Sequence, residues 1–109
     1  MQTDCWLGEI RIFPFDSLPQ GWVPCDGQRL TLDRDHMPLF SLLGNTFGGD
    51  GQHNFAVPDL RGKLPIGTDV DIDRGASRPL PNEAGAKENQ PTIALVYAIA
   101  IDGMYPMTE

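Results

Sequence analysis

The residues that could do chemistry are few. His36 and His53 form no i, i+4 or His-x-His pair, so the spacing of a zinc site is missing. Ser17, Ser41 and Ser77 lie outside any Gly-x-Ser-x-Gly elbow. Neither Cys5 nor Cys25 has a histidine close by in sequence. Gly48, Gly49 and Gly51 are not followed by Lys-Ser or Lys-Thr, so they read as a tight turn and not as a phosphate-binding loop. Asp69, Asp71 and Asp73 are the one constellation to weigh. Carboxylates at alternate positions of a loop can wrap a hard cation such as Ca²⁺. The EF-hand pattern needs Gly at the sixth place and Glu at the twelfth, where this chain has Arg74 and Leu80. A solvated acidic loop is the expected reading, with these three as weak calcium candidates. No enzyme, catalytic residue or cofactor is expected.

The elements that must position these residues are short. GEIRIFPF (8–15) predicts a strand with Ile10 and Ile12 on one face, closed by Pro14. Asp26-Gly27, between extended pieces at 22–25 and 28–32, predicts a hairpin with a type I′ turn. MPLFSLL (37–43) has its leucines at helical spacing, Pro38 in the first turn and Gly44 just past the end. Asp33 and Asp35 upstream favour that helix start. TIALVYAIAI (92–101) alternates large and small apolar residues, which predicts a strand covered on both faces. One face packs a core and the other packs closely against something flat. The stretch 69–91 reads as a long loop, with three prolines and no aromatic residue. Trp6, Phe13, Phe15 and Trp22 could form a sugar-binding platform, but they are expected to be core residues of a small β domain.

Length and composition bound the rest. One domain is expected from 109 residues, and 12 glycines with 10 prolines make it turn-rich. The net charge of −7 argues against nucleic acid, because no positive field displaces counterions from phosphates. Membrane insertion is not expected, since no apolar run approaches the length of a span. No Sec signal is visible at residues 1–11. Two cysteines are too few for a disulfide scaffold. An intrachain bridge, an interchain bridge and two free thiols stay open, and the missing signal favours free thiols.

Four blocks, in order, carry a family resemblance. GEIRIF (8–13), PQGWVPCDGQRL (19–30), LFSLLGNTFGGDG (39–51) and NFAVPDLRGKLPIG (54–67) resemble the phage tail collar domain. The end of the chain, 91–106, resembles small bacterial relatives known as microcystin-dependent proteins. The resemblance implies a mostly β fold with one short α-helix, a small compact Gly/Pro-rich domain. Collar motifs would occupy 7–67, a shortened loop insert 68–91, and an apolar strand with a tail 92–109. It implies a structural, non-enzymatic subunit of a tail fibre or an extracellular fibre. Its partners would be copies of itself, as a trimer or a filament, and other tail or fibre proteins. It would reside in a virion tail or an extracellular fibre, and in the cytoplasm before assembly. The longer inserts of many relatives, often with His-x-His motifs, are absent, which argues against iron binding and receptor recognition.

Contacts between copies are expected at Cys5 and Trp6, ahead of the motifs, and along Ile93, Leu95, Tyr97, Ile99 and Ile101. This strand would either be central in its own domain or complete a neighbour's sheet. A glycan-binding or receptor-binding adhesin, using exposed aromatics and the 69–91 loop, is the alternative.

Overall fold

Gly8 starts the first strand and Pro14 ends it. The computed structural model describes residues 5–77 and 91–107. Glu9 donates its N–H to the Trp6 carbonyl at 3.0 Å, closing a turn with Gly8 (φ +84°) where a type II turn needs positive φ. The Gly8 N–H donates to the Ala100 carbonyl, and the Ala100 N–H to the Glu9 carbonyl, both at 2.9 Å. Gly8 and Glu9 thus oppose one residue, the geometry of a glycine bulge that launches β1 (Ile10–Phe13).

The sheet is built around the end of the chain. β5 (Val96–Ala100) lies between β1 and β2 (Trp22–Pro24), antiparallel to both. β3 (Arg29–Thr31) and β4 (Asn54–Ala56) form a second, two-stranded sheet. Among the described residues one short helix, α1 (Met37–Leu43), completes a mostly β fold.

β5 separates two apolar clusters, so both of its faces are covered as its sequence pattern predicts. Tyr97, Ile99 and Ile101 turn to a core that holds Leu7, Cys25, Leu30, Leu39, Phe55 and Val57. Ala98 and Ala100 turn to a smaller cluster of Cys5 and Trp22, flanked by Phe13 and Leu18. The strand is shorter than the run of apolar residues. Its pairing begins at Val96, opposite Phe13. Pro14 follows Phe13, and the chain bends over residues 14–17 there.

The Asp26-Gly27 hairpin does not form. β2 and β3 belong to different sheets. A type I′ turn needs positive φ at both central residues, and only Gly27 has it (φ +77°). Instead, the Asp26 carboxylate accepts the Gln28 N–H at 3.1 Å, and the Gly27 N–H donates to the Pro58 carbonyl at 3.2 Å. The segment hands the chain from one sheet to the other.

α1 spans the predicted residues. The Asp33 carboxylate accepts the His36 N–H at 3.0 Å, and its carbonyl accepts the Met37 N–H at 3.0 Å. Gly44 (φ +60°) closes the helix by donating to the Phe40 carbonyl at 2.7 Å. Leu39 is buried, and Phe40 meets Phe55 at 5.4 Å between ring centroids.

Candidate assembly surface

The residues with chemical potential are engaged in local turns. Asp50 accepts N–H groups from Gln52 (2.9 Å), His53 (2.8 Å) and Asn54 (3.1 Å), with the His53 ring at 3.2 Å. These donors, the His53 N–H foremost, hold its carboxyl well below the usual carboxylate range. The Arg61 fork grips Asp59 through Nε and Nη2, both at 2.9 Å. That pair likewise holds the Asp59 carboxyl low. The His36 ring reaches the Thr31 carbonyl at 2.8 Å. Burial, and then the charge of Asp26, pushes the Cys25 thiol up to about 12. No disulfide joins Cys5 and Cys25, and both are buried.

Asp69, Asp71 and Asp73 are exposed. Asp69 and Ile72 exchange backbone hydrogen bonds at 2.9 and 3.0 Å, and the Asp69 carboxylate accepts the Val70 N–H at 2.8 Å. Among the described residues, no three His, Cys, Asp or Glu side chains gather where a metal ion could be held. Residues 78–90 of the predicted loop lie outside the described residues.

The aromatics divide. Phe13 and Trp22 meet edge to face at 5.4 Å in the smaller cluster, with the Arg11 guanidinium 5.3 Å from the Trp22 ring. Phe15 and Trp6 stay exposed. A flat sugar platform of all four is therefore not present, because two of them turn inward.

The expected contact residues also divide. Ile99 is fully buried, while Tyr97 and Ile101 are partly buried against the same core. Ile93 and Leu95, ahead of the strand, are 82% and 45% exposed. Cys5 is buried, its thiol donating to the Asp102 carbonyl at 3.4 Å. Trp6 pairs with Met104 in a short parallel bridge, through Leu7 N–H to Met104 carbonyl (2.8 Å) and Met104 N–H to Cys5 carbonyl (2.9 Å). Trp6, Met104, Tyr105 and Met107 are exposed there. Tyr105 reaches back to α1, its hydroxyl 2.6 Å from that of Ser41.

One feature is absent from the sequence expectations. Beside β1 runs an open groove of about 1340 Å³, lined by Ile10, Ile12 and Tyr97 and, opposite, by Phe47, Leu64 and Ile66. Ile10 and Ile12 share a face with their partners Ile99 and Tyr97. They nevertheless remain 42% and 51% exposed. The alternation at 10–13 signals a half-buried strand, but says nothing about which half the fold leaves open.

Residues 8–65, more than half of the chain, match the Phage Tail Collar Domain. The chain belongs to the phage tail collar domain family. No curated protein and no solved structure matches it. The collar domain is structural and not enzymatic, which assigns this chain a structural role of the tail-fibre kind. The collar match covers both outer strands of the three-stranded sheet, whereas β5, the strand between them, lies beyond it. Among the described residues no helix is long and apolar enough to cross a membrane.

Proposed function

We propose that this collar-domain chain is a non-enzymatic subunit that associates with copies of itself through β-rich contacts, in a phage tail fibre or a related extracellular fibre. The observation that carries the reading is the collar match over residues 8–65. Two physical features support it. The polar side chains that could act in catalysis cap local turns and pair with near neighbours. Apolar side chains, by contrast, are left in the open at Ile10, Ile12, Ile93, Leu95 and Trp6, a distribution that favours association over chemistry.

Trimer and filament are the two forms this assembly takes. A contact that closes by symmetry gives a ring, and one that does not gives a filament. Size-exclusion chromatography with light scattering tests the reading on the full chain. A mass of three chains supports a closed trimer, and a large heterogeneous mass supports a filament. A monomer at every concentration overturns self-association. Binding of that monomer to a glycan array would favour the adhesin alternative.

A further inference from the structure

The stretch 92–95 leads directly into β5 and is exposed. Pairing with β1 stops at Val96 and Phe13, and the chain bends at residues 14–17 just past Phe13. On the other edge, pairing with β2 ends at Pro24 opposite Ala98, followed by Cys25 N–H to Tyr97 carbonyl at 2.8 Å. Among the described residues, Thr92, Ile93, Ala94 and Leu95 have no backbone hydrogen-bond partner. An exposed, largely apolar segment with unpaired backbone, running into a strand, is a template for another sheet edge.

Such an edge exists in the same fold. β1 is an outer strand. The Ala100 N–H to Glu9 carbonyl bond sets the phase of its ladder with β5. Alternation along an antiparallel pair then makes Arg11–Ala98 and Phe13–Val96 the bonded pairs. The N–H and C=O groups of Ile10 and Ile12 therefore point away from β5. Their side chains face the groove and are about half exposed.

Charge permits a second copy here. Two chains of net charge −7 repel, so copies must meet where that charge is absent or offset. Residues 89–101 contain no Asp, Glu, Lys or Arg. The groove wall carries Arg11, Lys63 and Arg74 against Asp59 and Asp73, a balance of +1 on an acidic chain. Chain connectivity excludes the same copy. Leu95 is bonded to Val96, which already pairs on the inner side of β1, so its own overhang cannot reach the outer side.

We infer that Thr92–Leu95 of one copy adds as a strand to the outer edge of β1 of a second copy, with Ile93 and Leu95 packed beside Ile10 and Ile12. This rests on the self-association proposed above and names its surfaces. Donor and acceptor are different parts of the fold. Each added copy therefore leaves one of each open, and growth continues until a ring closes or a filament extends.

The test is complementation in solution, read by light scattering with circular dichroism to confirm folding. The donor variant carries Ile93→Asp and Leu95→Asp, and the acceptor variant carries Ile10→Asp and Ile12→Asp. Each should drop to the mass of one chain. A 1:1 mixture should recover a two-chain species, because the acceptor variant still donates and the donor variant still accepts. Should the acceptor variant fail to fold, the donor variant reads the donor arm alone. A folded donor variant that assembles as the wild type does overturns the inference. So does a mixture of two folded variants that stays monomeric. A wild-type chain that is itself monomeric overturns the self-association reading instead.

Discussion

Phe13 and Trp22 sit on strands that do not touch, yet their rings meet at 5.4 Å and 80°. β5 lies between them, which places β1 and β2 roughly 9.6 Å apart at the usual strand spacing. The rings bridge that distance because the intervening side chains on this face are Ala98 and Ala100. A larger residue there would fill the space that the two aromatics share. Ala98→Leu is expected to destabilise the fold by about 1–3 kcal/mol, the usual cost of overpacking. Urea unfolding followed by Trp22 fluorescence measures it. Unchanged stability would mean the aromatics do not close over the alanines.

Gly49 and Gly44 both have positive φ but differ in what surrounds them. A Cβ on Gly49 would lie 2.5 Å from the Phe55 Cα and 2.8 Å from the Asn54 carbonyl oxygen. A Cβ on Gly44 would meet nothing within 4 Å. Gly44→Ala should therefore cost only the strain of its nearly glycine-only backbone (φ +60°, ψ −151°), about 1–3 kcal/mol. Gly49→Ala should cost that and a backbone displacement, and so exceed it clearly. Thermal melts of the two variants side by side check the order, and equal melting points would contradict the close approach.

Parts of this fold are local enough to read from the chain. α1 is one: Pro38, the leucine spacing and Gly44 lie within eight residues and need no partner to be recognised. The two faces of β5 are another, because alternation alone separates Tyr97 and Ile99 from Ala98 and Ala100. Pairing is different. Asp26-Gly27 has the composition of a hairpin turn, but β2 pairs with β5, more than 70 residues away. No dipeptide encodes which distant strand will compete for an edge. The candidate surface was half legible for the same reason. Ile93 and Leu95 stand out as apolar residues, whereas the exposure of Ile10 and Ile12 depends on what the rest of the fold leaves uncovered.

Cys25 makes the stability depend on pH at the alkaline end. Burial raises its thiol from about 9 to about 12 in the folded chain. The folded state thus favours the protonated thiol, and the unfolded state releases the proton first. Stability from this site is complete below pH about 9 and declines as the pH climbs from there toward 12. Cys25→Ala should remove that part of the decline, while also losing some packing. Melts between pH 7 and 11, compared for both chains, measure the difference. At pH 8 a thiol reagent should label Cys25 only as fast as the chain opens.

Asp50 and Asp59 act at the acid end, with the opposite sign. Their neighbours hold both carboxyls below the ordinary carboxylate value of about 3.9. The contribution of each is present above that value and is lost as the pH falls through the lower folded one. Asp50→Asn keeps an oxygen acceptor for the Gln52, His53 and Asn54 N–H groups but removes the charge. The variant should melt below the wild type at pH 6, and the gap should hold down to about pH 4 and then narrow toward pH 2. Asp59→Asn should behave the same way, more weakly in high salt, because its partner Arg61 is largely exposed. A gap that stays constant across this range would show that neither carboxylate stabilises the fold through its charge.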